Sequence, residues 1–228
     1  MAAADALFEF DHVSLLTGDA WRLHDVRGAI SAHGVTALLG PSGSGKSTLL
    51  RCCNRLEVPT EGVVRYRGDD VATLDVLALR RKVSMVFQRP TPFPGTCRDN
   101  LRVAEPQIHD AHAIALLERV HLDESFLTRT ATELSGGEAQ RLCLARALAV
   151  EPETVLLDEV TSSLDPYARS GLEDLARELA AGGVPIVWVT HDFAQVRRIA
   201  DATIVLIEGR VASAEEAEAF TKEPWHGE

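Results

Sequence analysis

The sequence predicts an α/β fold whose mainly parallel sheet is covered by helices on both faces. Two observations carry this. Short apolar runs of strand length alternate along the chain with longer stretches of helical periodicity. One of those runs, Val35 to Leu39, feeds directly into a glycine-rich turn and then a helix. A strand, turn and helix in that order is the start of a βαβ arrangement rather than of a hairpin.

Leu7 to Val13 (LFEFDHV) alternates apolar and polar residues and reads as a half-buried strand. Val35 to Leu39 (VTALL) is a short apolar run and reads as a buried strand ending at Gly40, with a helix from Lys46 to Leu56. Gly62 to Tyr66 is a strand closed by Gly68, and Val83 to Phe87 (VSMVF) is another buried one. Pro90 to Gly95 (PTPFPG) is expected to be a loop, since proline removes amide donors and restricts its neighbour. Asp110 to Val120 carries helical spacing, and Glu138 to Val150 is a stronger helix rich in alanine and leucine. A strand follows at Val155 to Leu157, then a helix from Pro166 to Ala180 with proline in its first turn. Ile186 to Val189 is a strand, Phe193 to Ala200 a helix, and Thr203 to Ile207 a strand turned by Glu208 and Gly209. Ala214 to Phe220 closes the reading as a short helix. The middle, about residues 89 to 129, has no strand runs and is expected to form a helical lobe.

A formal net charge of −11 argues against direct nucleic-acid binding, which needs a basic surface. No run of about 18 apolar residues is present, so no span of its own is expected and a partner must supply any membrane segment. Met1 to Leu7 lacks the basic and apolar regions of a leader. Cys52, Cys53, Cys97 and Cys143 form no C-x-x-C pair and are expected to be reduced thiols.

Gly40-Pro41-Ser42-Gly43-Ser44-Gly45-Lys46-Ser47 fits G-x-x-x-x-G-K-[ST], the phosphate loop of P-loop NTPases. Glycines allow several backbone N–H groups to converge on phosphate oxygens, and the following helix points its positive end at the same anion. Lys46 is expected on the β- and γ-phosphates and the Ser47 hydroxyl on Mg²⁺, with Thr48 completing the binding stretch. The second motif is Thr154-Val155-Leu156-Leu157-Asp158-Glu159, an apolar strand ending in two acids. Ligands of parallel sheets bind beyond the carboxyl ends of the strands. Asp158 is therefore expected to hold Mg²⁺, and Glu159 to polarise the attacking water as general base.

Leu134-Ser135-Gly136-Gly137-Glu138, followed by Gln140-Arg141, resembles the LSGGQ signature of ABC ATPases, and it lies just before the acidic strand as in that family. The resemblance runs from about Leu7 to Gly209 with further motifs in family order. It implies an ABC-type ATPase core with an antiparallel β subdomain and a helical subdomain, about residues 89 to 150, inserted in a single domain of residues 1 to 228. Ser135, Gly136 and Gly137 would reach the γ-phosphate of ATP held by a second copy. Gln88 resembles the Q-loop glutamine, which senses Mg²⁺ and couples to the membrane partner. Ser162-Ser163-Leu164-Asp165 resembles the D-loop, and His191 the switch histidine on the γ-phosphate.

The same resemblance implies ATP and Mg²⁺ as cofactors, a homodimer, polytopic permease subunits as partners, and a position on the cytoplasmic face of a membrane. Three positions depart from the family pattern. Thr17 stands where an aromatic residue usually stacks on adenine, so Trp21 or Phe10 is expected to do so instead. Glu138 replaces the usual glutamine, and Val160 the usual proline.

Met85 to Pro94 and Arg141 to Arg146 are similar to phosphate-import ATPases. Leu16 to Ala20, Glu159 to Ser162 and Val187 to His191 look more like a bacterial group linked to iron export and metal tolerance, and Leu74 to Arg81 like plant relatives of that group. Phosphate-type import is the favoured expectation, with export and a soluble ATPase of iron–sulfur assembly as alternatives. The stretch from Lys46 to Leu134 is too short for the insertions of DNA-repair ATPases.

Overall fold

A computed structural model describes residues 5–162 and 164–222. The first four residues of the segment inspected for a leader, and Ser163 of the D-loop motif, lie outside the described residues. The chain divides into two units, Met1–Asp75 with Val187–Glu228, and Val76–Ile186.

In the first unit, β1 (Ala6–Thr17) and β2 (Ala20–Ser31) form a hairpin. With β4 (Glu61–Tyr66) and β5 (Asp69–Asp70) they build an antiparallel sheet in the order β2-β1-β4-β5. Phe8 pairs with Tyr66 and Phe10 with Val64 across it. Leu7, Phe8, Leu23, Val26 and Ile30 are buried there, each contributing about 1.5–3 kcal/mol of transfer free energy. The sequence gives no strand signal for β2. Its buried residues Leu23, Val26 and Ile30 are three and four apart, a helical spacing. Register shifts against β1, with Asp25 at φ 49° and His12 at φ 56°, explain this, because each bulge breaks the two-residue period of a strand.

The same unit contains a mainly parallel section. β3 (Val35–Leu39) pairs in parallel with β9 (Ala202–Ile207), Thr36 opposite Ala202 and Leu39 opposite Val205. β8 (Ile186–Val189) flanks β3, and β10 (Arg210–Val211) returns antiparallel along β9. All five residues of β3 and all four of β8 are buried, as an apolar run without alternation requires. The helices are α1 (Lys46–Cys53), α7 (Phe193–Ile199) and α8 (Ala214–Lys222).

In the second unit, β6 (Val83–Val86) pairs in parallel with β7 (Thr154–Asp158), Val86 opposite Leu157. The crossover between them carries α3 (Cys97–Ala104), α4 (Asp110–Arg119) and α5 (Gly136–Leu148). α2 (Val76–Lys82) precedes β6, and α6 (Pro166–Ala181) follows β7. Sequence periodicity does not reveal α2 or α3. α2 buries only Leu79, so it has no apolar stripe to detect. α3 did carry a signal, the Thr96-x-x-Asp99 capping box, in which Thr96 Oγ1 accepts from the Asp99 amide and Asp99 Oδ2 accepts from the Thr96 amide.

Candidate active site

In the first unit, the turn between β3 and α1 folds over its own lysine. Lys46 is almost fully buried, and its Nζ donates to the carbonyls of Gly40 at 2.9 Å and Pro41 at 2.8 Å. These bonds hold the ammonium at the centre of the loop. Gly45, at φ 97°, is the N-cap of α1. A Cβ there would lie 2.7 Å from the Arg22 carbonyl oxygen and 2.9 Å from Leu23 Cδ2, so β2 presses directly against the start of α1. The turn between β9 and β10 completes the support: the Gly209 amide donates to the Ser44 carbonyl at 3.1 Å, and its carbonyl accepts from the His24 amide at 2.8 Å. Nothing in the sequence singled out Gly209 for this role, since it reads there only as a hairpin turn.

Ser44 Oγ is buried and has no hydrogen-bond partner among the described residues. A buried hydroxyl left unpaired costs about 1–3 kcal/mol. A phosphate oxygen in the loop would satisfy it, so the residues present fit the triphosphate of a nucleotide. Ser42 and Gly43 are exposed at the loop's tip, while Pro41, Ser47 and Thr48 are half-buried.

His191 follows β8 and is exposed. Its neighbours fix its backbone. The Thr190 amide donates to the Leu38 carbonyl of β3, the Asp192 amide donates to Thr190 Oγ1, and Asp192 Oδ1 accepts the Gln195 amide as the cap of α7. Trp21, 47% exposed, immediately precedes Arg22 in β2. Phe10 is corrected as a base-stacking candidate: it is 5% exposed, packed in the antiparallel sheet.

In the second unit, the parallel register of β6 and β7 brings a glutamine and a carboxylate together. Gln88 lies two residues beyond Val86, and Glu159 two beyond Leu157, its register partner. Gln88 Nε2 donates to Glu159 Oε2 at 3.0 Å. That leaves the Gln88 carbonyl oxygen as its end for a hard cation. Asp158 closes β7 and is 2% exposed. Glu159 has φ 46°, a left-handed conformation costing a non-glycine residue about 1–2 kcal/mol. The Ser162 amide and hydroxyl both donate to its carbonyl, holding the turn in that shape. Strain of this kind, in a residue aimed by a defined partner, is typical of working sites.

The signature turn opens α5. Ser135 caps the helix, its Oγ accepting the Glu138 amide, while Glu138 Oε2 accepts the Ser135 amide at 2.8 Å. That amide bond, with Arg129 at 3.2 Å, holds the Glu138 carboxyl below its ordinary range. Glutamate in place of glutamine therefore keeps the capping box and adds an ion pair. Gly136 is exposed and open above its Cα, whereas a Cβ on Gly137 would press on Leu164 of the D-loop. Asp165 caps α6, its Oδ1 accepting from the Tyr167 and Ala168 amides at 2.9 and 3.0 Å. Those bonds, Ala168 foremost, hold its carboxyl low.

Two further residues position these loops: Asn100, which lies outside every motif, and Gln140, which the signature match included without this role. Asn100 is fully buried; its side chain bonds both the amide and the carbonyl of Phe93 in the proline-rich loop. Gln140, 1% exposed on α5, donates to the Phe87 carbonyl at 2.9 Å, beside Gln88. A polar residue on an alanine- and leucine-rich helix was the signal for Gln140.

Residues 23–162 match the ABC transporter family. The chain belongs to the ABC transporter family and carries its ATP-binding ATPase domain. It is 47% identical over 183 residues to Protein STAR1 of Oryza sativa subsp. japonica, covering 78% of this chain and 53% of that protein, so it spans about half the length of this relative. Against the Phosphate import ATP-binding protein PstB of Thermotoga maritima it is 40% identical over 226 residues, covering 91% of this chain and 89% of that one. Among solved structures, the dimeric post-hydrolysis state of the ATP-binding cassette MJ0796 bound to ADP and Pi has a TM-score of 0.82 at 29% identity, covering 90% of this chain and 97% of that one. The fold is thus the ABC cassette, with parallel strands, an antiparallel sheet and helices. Among the described residues, no helix is long and apolar enough to cross a membrane.

Proposed function

We propose that this chain is the ATP-hydrolysing subunit of an ABC transporter, acting as a homodimer on the cytoplasmic face of a membrane and driving polytopic permease subunits. The observation that carries the reading is the Gln88–Glu159 hydrogen bond at matched strand ends, since it couples the general base to the loop that would feel the permease. The phosphate loop, Gly40 to Thr48, binds the triphosphate, and Lys46 stabilises charge on the β- and γ-oxygens. Oxygen donors suit Mg²⁺, a hard cation, and each unit offers its own: Ser47 Oγ in the first, an Asp158 carboxylate oxygen and Gln88 Oε1 in the second. Bound there, it would neutralise charge on the phosphates. Glu159 takes the proton of the attacking water, and His191 orients the γ-phosphate. Ser135, Gly136 and Gly137 of one copy, with Asp165 in the loop beside them, close on the ATP of the other. Residues 89–150 serve as the helical subdomain of the single domain.

Trp21 is our candidate for the adenine platform. Its support is exposure, and adjacency to Arg22, whose carbonyl abuts Gly45. Stacking worth about 1–3 kcal/mol predicts a rise in the ATP Kd of about five- to 150-fold in Trp21→Ala; an unchanged Kd would remove Trp21 from the site.

Phosphate-type import is the substrate reading best supported, by PstB relatives that match this chain over nearly their full lengths. A second reading, an iron or metal-tolerance type export cassette, draws on Leu16 to Ala20, Glu159 to Ser162 and Val187 to His191. Purification from membranes, identification of the associated subunit and transport assays with phosphate and metals separate the two. Recovery with soluble partners alone would instead point to iron–sulfur assembly. For the mechanism itself, Glu159→Gln should abolish turnover and elute as an ATP-dependent dimer on size exclusion; full-rate turnover in that variant would refute the assignment of the base.

A further inference from the structure

α8 begins beyond the last family motif, yet it is tied to β10 near its start and to α7 near its end. At its start, the Ser213 amide donates to Glu216 Oε2 at 2.9 Å and the Glu216 amide donates to Ser213 Oγ at 3.2 Å, a reciprocal cap. Arg210 then grips both Glu216 oxygens, at 2.8 and 2.6 Å. A bidentate fork of this kind fixes geometry more than it adds stability at an exposed position. Arg210 directly follows Gly209, the residue whose amide supports the phosphate loop at Ser44. At the far end, Phe220 packs on Phe193, ring centroids 5.2 Å apart at 50°. Phe193 is the first residue of α7, two beyond His191.

α8 is not a core element. From Ala214 to Thr221 every residue is exposed or half-buried. A nine-residue helix with so little burial is marginal by itself, so ties such as these two help to place it. α7, only seven residues long, in turn has its first side chain against α8. The connection runs from Ser44 to Gly209 and its neighbour Arg210, on to Glu216, then along α8 to Phe220 and Phe193.

The geometry points to α8 as a brace that sets His191 relative to the phosphate loop, with Phe220, Glu216 and Arg210 as positioning residues for hydrolysis. This rests on the function proposed above. Phe220 acts on the histidine through Phe193, and the Arg210–Glu216 fork fixes where Phe220 stands. Loss of the brace should slow the chemical step while leaving the phosphate loop able to bind nucleotide.

The test uses the full chain and measures kcat, KM, ATP Kd and melting temperature for wild type, Phe220→Ala, Phe220→Leu, Glu216→Ala and Glu216→Gln. A misplacement of about 1 Å costs up to about a hundredfold in rate, so Phe220→Ala should lose about tenfold in kcat with ATP Kd and melting temperature nearly unchanged. Phe220→Leu keeps an apolar contact and should recover most of the rate. Glu216→Ala, remote from Phe193, should act in the same direction and more strongly than Glu216→Gln, which keeps the helix cap. Hydrogen exchange across residues 190–199 should quicken in both alanine variants. Wild-type kcat in Phe220→Ala and Glu216→Ala would overturn the brace, as would equal losses of ATP binding and stability. Should Phe220→Ala not fold, Glu216→Ala carries the test alone. A wild-type chain that turns over no ATP would overturn the proposed function first, and the brace with it.

Discussion

Gly45→Ala against Gly43→Ala isolates how tightly β2 closes on the phosphate loop. Both glycines have positive φ, 97° and 77°, so alanine at either pays backbone strain of about 1–2 kcal/mol. Their surroundings differ. A Cβ on Gly43 meets nothing within 4 Å, whereas one on Gly45 comes within 2.7 Å of the Arg22 carbonyl oxygen and 2.9 Å of Leu23 Cδ2. The carbonyl belongs to a strand and cannot swing aside, and Leu23 is fully buried. Forcing such an overlap costs about 1–3 kcal/mol more. Gly45→Ala should therefore lose about 2–5 kcal/mol in all, and at about 2–4 °C per kcal/mol its melting temperature should fall by about 4–20 °C. Gly43→Ala should fall by only about 2–8 °C. Thermal melts with and without Mg-ATP measure both parts. ATP at about a hundredfold over Kd adds about 2.7 kcal/mol to a competent site, and this increment should shrink most in Gly45→Ala. Equal melting temperatures for the two variants would refute the contact with β2.

Asn100→Ala removes four hydrogen bonds centred on a fully buried amide, among them those to the Phe93 amide and carbonyl. A loss of about 2–4 kcal/mol is expected, with faster proteolysis in the loop of residues 90–95. Glu216 has its carboxyl lowered from 4.5 to about 2, chiefly by Arg210. Its folded-state pKa lies below the unfolded value, so its stabilisation is complete above about 4.5 and lost as pH falls toward 2. The melting-temperature gap between wild type and Glu216→Gln should hold above pH 5, narrow below 4.5 and close near 2. A gap constant across that range would remove the Arg210 fork as its origin.

Most of the parallel framework was legible in the linear chain because its strands are short, largely apolar runs. β3 and β8 fall on the expected residues for that reason. The glycine-rich turn between β3 and α1 was legible because few residue types satisfy its backbone. β2 was not, since its bulges place Leu23, Val26 and Ile30 at helical intervals. Long-range polar anchors were equally hidden. Asn100 and Gln140 act on carbonyls seven and 53 residues away, and no local pattern encodes such a pairing. The Gln88–Glu159 partnership needed the strand register before it could be seen.

That register has a mechanical consequence. Gln88 and Glu159 each lie two residues past a register pair, Val86 and Leu157, so they meet only while both segments keep that count. Inserting or deleting one residue in either place would carry one of the two away from the other. A rearrangement that pulled the glutamine's loop along its axis by one residue, about 3.3 Å, would likewise disengage the carboxylate without moving it. Hydrolysis could then be switched by sliding a loop, with the carboxylate itself left in place.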